Sequence, residues 1–154
     1  KQIKKIVSCG IPVMGHVGLT PQSVNLLSGH LVQGRDVKSA QKILDDARAV
    51  EDSGAFAIVL ECIPKELARF ITDKVSIPTI GIGSGQGCDG QVQVFHDLLG
   101  MIDGFNPKHS KKYLSLSTNI KKALNQYSAD VKNYTFPTSR NTTSLPKKIV
   151  DSLI

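Results

Sequence analysis

Short apolar segments of strand length alternate with segments of helical periodicity along the first hundred residues. Four segments indicate buried strands, and they cover residues 11–18, 55–62, 77–85 and 90–100. Residues 55–62 lack the polar alternation of a half-exposed strand, so both faces of that strand are predicted to be covered. The alternation of buried strands with helices predicts a parallel α/β sheet.

Signals for the start and end of helices stand between these strands. Residues 37–53 carry apolar side chains at helical spacing, with Asp36 as a suitable cap and Gly54 where the helix should end. Pro64 is suited to begin the next helix. The predicted inner positions of that helix are Leu67, Ala68, Ile71 and Val75.

The start of the chain fits the same layout. Its first twelve residues read as the last turn of a helix, and Thr20 followed by Pro21 predicts a helix after the first strand. Either an open doubly wound sheet or part of a (β/α)₈ barrel accommodates this order. A complete barrel takes about 250 residues, so four strands would supply roughly half of one. We therefore expect the chain to belong to a longer architecture.

After residue 100 the alternation stops. Residues 110–134 predict one or two surface helices, and the Ser-, Thr- and Pro-rich end of the chain is typical of a mobile tail. A last turn in that tail could dock through Ile149, Val150 and Leu153. The predicted organisation is a barrel half at residues 1–106, surface helices of the same domain at 107–136 and a mobile tail at 137–154.

Composition places the chain among globular proteins. Of its 154 residues, 40% are hydrophobic and 21% are charged, which disfavours disorder. No apolar run approaches the ~18 residues that can cross a bilayer, so no membrane association is expected. The net charge of +6 arises from Pro107 onward, where nine Lys or Arg outnumber two acids. Lys111-Lys112-Tyr113 and Lys121-Lys122 are typical of the solvated side of amphipathic helices, so no nucleic-acid partner is predicted.

The three cysteines, Cys9, Cys62 and Cys88, have no CxxC spacing. An odd, scattered set is typical of buried thiols in a reducing compartment and not of disulfides or a zinc site. A cytoplasmic location is expected, with a mitochondrial one left open for a eukaryotic source, and no metal ligands are predicted in this chain.

Polar residues stand at the predicted carboxyl ends of the strands. In both layouts these ends meet at the functional edge of the sheet. The residues in question are His16, Glu61, Ser84, His96 and Asp97. If His96 and Asp97 were adjacent strand residues they would point to opposite faces, which disfavours a metal pair.

Glu61 is the strongest of these candidates. It follows Ile58, Val59 and Leu60, so its carboxylate should be partly desolvated and its pKa raised toward neutrality. Such a group can accept and return a proton near pH 7. The alternative is a structural glutamate that caps the next helix or pairs with a basic side chain.

Glycines surround the other candidates. His16 lies in the string GHVG, where the backbone can turn sharply and a ligand can come close; a structural histidine is the alternative. Residues 85–90 fit G-x-G-x-x-G by letter. A strand rather than a helix is predicted to follow them, so a dinucleotide site is rejected in favour of a tight loop.

Five longer strings along the chain carry a family resemblance. In order they are PVMGHVGLTPQSVN, VQGRD, VLECIPKELARFIT, IPTIGIGSGQGCDGQVQVFHDLLGM and NPKHSKKY. Together they resemble the C-terminal half of the ketopantoate hydroxymethyltransferase family, from about Lys1 to Pro137. The resemblance implies a (β/α)₈ barrel, of which this chain supplies about four strands, in a homo-oligomer that is typically a decamer.

The resemblance also implies an activity. Family members transfer a hydroxymethyl group from 5,10-methylenetetrahydrofolate to the keto acid 3-methyl-2-oxobutanoate, which Mg²⁺ chelates, in the first committed step toward pantothenate and coenzyme A. By this resemblance Glu61 is the general base, His16 lines the substrate pocket, and Ser84 lines the same rim. The family's Mg²⁺ ligands and keto-acid-binding residues lie on earlier strands, upstream of this chain. We therefore expect the isolated chain to be inactive or nearly so.

Two alternatives stay open. One is another barrel enzyme that forms a Mg²⁺-enolate, such as a carbon–carbon lyase or a phosphonate mutase, although the acid-rich and cysteine-bearing loops of those enzymes are not visible here. The other is a non-catalytic half-barrel that acts in assembly.

Overall fold

The computed structural model describes residues 1–21, 31–104 and 106–153. Its strands are β1 (Met14–Gly18), β2 (Ala57–Glu61), β3 (Thr79–Ile82) and β4 (Gly90–Gln91). Its helices are α1 (Gln2–Ser8), α2 (Val37–Asp52), α3 (Lys65–Thr72), α4 (Phe95–Leu98), α5 (Leu116–Lys132) and α6 (Lys147–Asp151), with a 3₁₀ turn at Ser139–Asn141. The chain forms two compact units: the first comprises Lys1–Phe95 with Pro107–Lys111, and the second comprises His96–Asn106 with Lys112–Ile154.

The first unit is built on a four-stranded parallel sheet in the order β1-β2-β3-β4. In its register, His16 lies beside Val59, and Glu61 lies between Gly18 and Ile82. The predicted parallel α/β sheet is confirmed. Because all strands run the same way, their carboxyl ends lie along one edge, and Glu61 stands at that edge.

Helices α2 and α3 pack against the sheet through its hydrophobic core. Ile58 and Leu60 of β2 are completely buried in this core, which also contains Val17, Ile43, Leu44, Ala47, Val50, Ala68 and Ile71. Val59, which points to the opposite face because strand residues alternate, is only half-buried. Ala57 on that same face is 3% exposed, so among the described residues the expectation that both faces of this strand are covered is met only in part.

The predicted helix boundaries agree with the observed caps. Asp36 caps α2, since the Ser39 amide donates to Asp36 Oδ1 at 3.0 Å and the Asp36 amide donates to Ser39 Oγ at 3.3 Å. Gly54 follows the end of α2 with φ +89°, a conformation that favours glycine. Helix α3 begins after Pro64 as expected, while the helix predicted to begin at Pro21 lies largely outside the described residues.

The predicted fourth strand was too long. Strand β4 contains only Gly90–Gln91, and residues that the pattern assigned to the strand form α4. His96 and Asp97 therefore lie on a helix, and the opposite-face argument against a metal pair does not apply to them. Beyond the strand, the side-chain amide of Gln93 bonds to the backbone of Lys111 at 2.6 and 2.9 Å, and the chain continues into α4.

The second unit contains the predicted surface helix, α5. Asp103 fixes the preceding loop to it by accepting hydrogen bonds from the hydroxyl of Ser117 and the ammonium of Lys121. Helix α6 forms the last turn that the sequence suggested, but Ile149, Val150 and Leu153 are exposed and show no docking. Within the described ranges, no helix is both long enough and apolar enough to span a membrane.

Asp89 connects the glycine-rich loop to the start of β3. Its Oδ2 accepts hydrogen bonds from the amide of Thr79 at 2.8 Å and the Thr79 hydroxyl at 3.0 Å, and Thr79 is fully buried. These bonds favour the carboxylate and so lower the pKa of Asp89 below its usual value. The bond from the backbone amide has the largest effect. The ionised side chain therefore stabilises the loop.

We predict that Asp89→Ala lowers the free energy of unfolding at pH 7 by about 1–3 kcal/mol, because the amide of buried Thr79 loses its acceptor and the Thr79 hydroxyl loses one of its two partners. Since folding lowers the pKa of Asp89, the ionisation-linked part of this stability is present above the unfolded-state pKa. It is lost as pH falls through the lower, folded-state pKa.

Urea unfolding of the unchanged chain and of the variant at several pH values measures this loss of stability. Asp46→Ala, which removes a surface ion pair with Lys42, is the control and should cost under about 1 kcal/mol. Equal losses in the two variants would contradict the prediction.

Candidate active site

Glu61 and His16 meet at the carboxyl end of the sheet. Glu61 is the last residue of β2, and its Oε2 lies 3.0 Å from Nε2 of His16 on the neighbouring strand β1. The side chains are 17% and 30% exposed, respectively. Gly18 is the register partner of Glu61, and His16 precedes it by two residues, so His16 and Glu61 share a face of the sheet. The partial burial expected for Glu61 is confirmed.

The contact between the two side chains is electrostatic rather than a well-aligned hydrogen bond. Nε2 of His16 is buried, and among the described residues it has no hydrogen-bond partner of suitable direction, despite its short distance to Glu61. The 3.0 Å approach holds the two side chains against each other at the strand ends.

Backbone hydrogen bonds to three other segments of the chain fix the backbone of Glu61 and Cys62. The amide of Leu19 donates to the Glu61 carbonyl, the Cys62 amide donates to the Ile82 carbonyl, and the Gln33 amide donates to the Cys62 carbonyl, each at 2.9 Å. Gly18 has φ +92°, and a Cβ there would lie 2.2 Å from the Glu61 carbonyl oxygen. This close approach explains why position 18, one of the glycines near His16, has no side chain.

Cys62 adopts a left-handed backbone conformation, with φ 49°, directly after Glu61. Its side chain is buried. Burial raises the pKa of the Cys62 thiol, and the neighbouring Glu61 carboxylate raises it further. The thiol is thus held in its protonated form, which disfavours a nucleophilic role. Cys88 is half-buried, while Cys9 at the end of α1 is exposed, so the expectation that all three thiols are buried was wrong for Cys9.

Ser84 lies in the glycine-rich loop after β3. It is fully buried, and its Oγ lies 3.8 Å from Sγ of Cys88. The structure brings His16 and Glu61 into contact and places Ser84 against Cys88. The substrate-binding role of Ser84 stays a prediction.

His109 was not found by sequence reasoning. It belongs to the short stretch Pro107–Lys111 that joins the first compact unit. Its Nδ1 lies 3.9 Å from Sγ of Cys62, the residue after Glu61. No periodicity or spacing in the sequence indicates the contact between His109 and Cys62, because the two residues are 47 positions apart.

The described residues contain no group of three or more His, Cys, Asp or Glu side chains that could hold a metal ion. The glycine-rich loop is followed by strand β4 and not directly by a helix. The rejection of a dinucleotide site is therefore supported by the fold.

A family model described as ketopantoate hydroxymethyltransferase matches residues 1–139. The chain belongs to this family. The (β/α)₈ barrel is the family fold, which confirms the predicted fold class, with this chain supplying about half of the barrel.

Three relatives illustrate the match, and each is named 3-methyl-2-oxobutanoate hydroxymethyltransferase. One from Dehalococcoides mccartyi is 57% identical over 152 residues, which is 99% of this chain and 54% of the relative. One from Carboxydothermus hydrogenoformans is 55% identical over 98% of this chain and 55% of the relative. One from Chloroflexus aurantiacus is 58% identical over 88% of this chain and 48% of the relative. The chain thus spans about half the length of the curated relatives it matches.

We predict that Gly18→Ala is more destabilising than Gly10→Ala, a matched control that also has positive φ but has no atom within 4 Å of an added Cβ. The control should cost about 1–2 kcal/mol for its left-handed backbone. Gly18→Ala should cost more than about 3 kcal/mol, because it also displaces the Glu61 carbonyl. Urea unfolding of both variants measures the difference. Equal costs would show that the contact between Gly18 and Glu61 does not constrain the strand end.

Proposed function

We propose that this chain supplies the proton acceptor, Glu61, of a 3-methyl-2-oxobutanoate hydroxymethyltransferase. The reaction converts 3-methyl-2-oxobutanoate, 5,10-methylenetetrahydrofolate and water into 2-dehydropantoate and tetrahydrofolate, on the route to pantothenate and coenzyme A. The observation that carries the proposal is the contact of Glu61 with His16 at the strand ends. The choice of reaction is supported by three relatives that carry this enzyme name and are 55–58% identical to the chain.

Glu61 has the properties that proton removal from the keto acid requires. The hydrogen on C3, next to the ketone, is weakly acidic, so a base must be held against it in a site that excludes water. Glu61 is mostly buried and stands at the carboxyl edge of the sheet, where barrel enzymes place their reacting groups. Its carboxylate takes the C3 proton and leaves the electron pair as an enolate.

The remaining bonds follow from that enolate. Its C3 forms a carbon–carbon bond with the one-carbon unit of the folate, both bonds of that carbon to nitrogen are broken, and water supplies the hydroxyl group. The proton taken from C3 and the remaining proton of the water end on the two folate nitrogens, which gives tetrahydrofolate. His16 holds the carboxylate in position through the 3.0 Å contact between Nε2 and Oε2.

The keto-acid-binding Mg²⁺ implied by the family is expected to use ligands outside this chain. The described residues do not fit such an ion, since no cluster of three suitable side chains is present among them. The roles of Glu61 and His16 do not require that this chain bind the metal. Ser84, in the loop after β3, is proposed as a further substrate-binding residue on the basis of the family resemblance.

We also propose that the protein is a cytoplasmic homo-oligomer, a decamer if it follows the family. Helix α5 presents exposed Leu124, Tyr127 and Val131 at helical spacing. This apolar stripe is the kind of surface that association buries.

A non-catalytic role in assembly is the second candidate. One specific feature favours it: a groove of about 490 Å³ runs along β1 and α2, lined by residues that include Ile3, Val17, Lys42 and Asp46. His16 lines this groove. An assembly role predicts that no chemistry depends on Glu61.

The deciding measurement is hydrogen–deuterium exchange at C3 of 3-methyl-2-oxobutanoate, with Mg²⁺ and without folate. It uses a fusion of this chain to the part of the Dehalococcoides mccartyi relative that lies outside the matched region. Glu61→Gln should lower the exchange rate at least about 100-fold, because it removes the base but keeps the shape. The control Glu66→Gln changes a carboxylate that is 76% exposed and should leave exchange unchanged. Exchange that survives Glu61→Gln, or a fusion that is folded and catalyses none, overturns the proposal.

A further inference from the structure

The stretch Pro107–Lys111 is held against the sheet unit by a paired contact. Nε2 of Gln93 donates to the Lys111 carbonyl at 2.6 Å, and the Lys111 amide donates to Oε1 of Gln93 at 2.9 Å. A side-chain amide that satisfies both backbone groups of one residue fixes its position and orientation. His109 is therefore placed by a defined anchor two residues away.

His109 packs directly on the end of β3. Gly83 has φ +64°, and a Cβ at that position would lie 3.1 Å from both Cβ and Cγ of His109. The same added Cβ would lie 3.2 Å from Sγ of Cys62. The missing side chain of Gly83 thus provides the space in which His109 and Cys62 meet.

The conformation of Cys62 needs support from its surroundings. A residue with a side chain rarely adopts φ 49°, and such strain persists only where neighbouring contacts determine the backbone. The backbone of Cys62 is fixed by bonds to Ile82 and Gln33, and its side chain is enclosed beside His109 and Gly83. At 3.9 Å the contact between Sγ and Nδ1 is weak as a hydrogen bond, so packing of the ring is the stronger constraint.

We propose that His109 is a positioning residue for Glu61. Its ring, packed on Gly83 and Cys62, holds the left-handed turn at Cys62, and this turn directs the carboxylate of the preceding residue toward the substrate. The inference rests on the proposed function, because it assigns to His109 the alignment of the base that the reaction uses. A base displaced by about 1 Å loses on the order of 100-fold in rate, so a residue that touches no substrate can still control turnover.

The test compares three variants of His109 in the fusion protein by the rate of C3 exchange. His109→Ala removes the ring, His109→Asn keeps a polar group near the Nδ1 position, and His109→Phe keeps an aromatic ring. We expect exchange at saturating keto acid to fall about 10- to 100-fold in the Ala and Asn variants, with KM changed less than about threefold. The Phe variant should retain at least about a third of the rate.

A second readout is independent of activity. The rate at which iodoacetamide modifies Cys62 in this chain, followed by mass spectrometry of the peptide that contains it, reports whether the turn stays closed. His109→Ala and His109→Asn should accelerate modification at least about tenfold, and His109→Phe should protect Cys62 as the unchanged chain does. Modification of exposed Cys9 should be equal in all variants and serves as the internal control.

The outcomes separate the two proposals. If the unsubstituted fusion catalyses exchange but the Ala and Asn variants equal it, the role of His109 is overturned while that of Glu61 stands. If the Phe variant is as slow as the Ala variant, ring packing is overturned. If the unsubstituted fusion is folded and catalyses no exchange, the proposed function fails, and the role of His109 fails with it, whatever the thiol measurement shows.

Discussion

Parallel pairing of β1, β2 and β3 is the constraint on which the rest of the site depends. It brings the carboxyl ends of three separate segments to one edge, so that Gly18, Glu61 and Ile82 lie side by side. Backbone bonds to the Glu61 carbonyl and the Cys62 amide then follow from register alone. A carboxylate at this edge can be held more rigidly than one on a loop, because its backbone is already satisfied.

Close approach of these strand ends leaves little room for side chains. Added Cβ atoms would meet the Glu61 carbonyl at Gly18 and the His109 ring at Gly83, and both glycines have positive φ. Space and backbone conformation both require glycine at Gly18, whereas at Gly83 the positive φ favours glycine and an added Cβ would be tight, at 3.1 Å from His109. The exception is Cys62, whose left-handed backbone carries a side chain, and its thiol fills the gap that Gly83 leaves.

Local signals in the sequence were sufficient for much of this fold. Asp36 and Gly54 marked the ends of α2 because capping depends on neighbouring residues, and the apolar string before Glu61 predicted both a strand and a partly buried carboxylate. The errors arose where distant contacts decide the outcome. Residues 90–100 have a strand-like pattern, yet the strand ends at Gln91, and beyond it the Gln93 side chain bonds to the backbone of distant Lys111. His109 was missed for the same reason, since its neighbours Cys62 and Gly83 are remote in sequence.

The unequal burial of the two faces of the sheet bears on the role proposed for Glu61. Helices α2 and α3 cover the face that holds Ile58 and Leu60, whereas Val59 on the face of Glu61 is only half-buried. A barrel closes that second face with its remaining strands, and closure would withdraw the Glu61 carboxylate further from water. Under the proposed function, the strand register of this chain fixes the position of Glu61, and the strands that complete the barrel would exclude water from it.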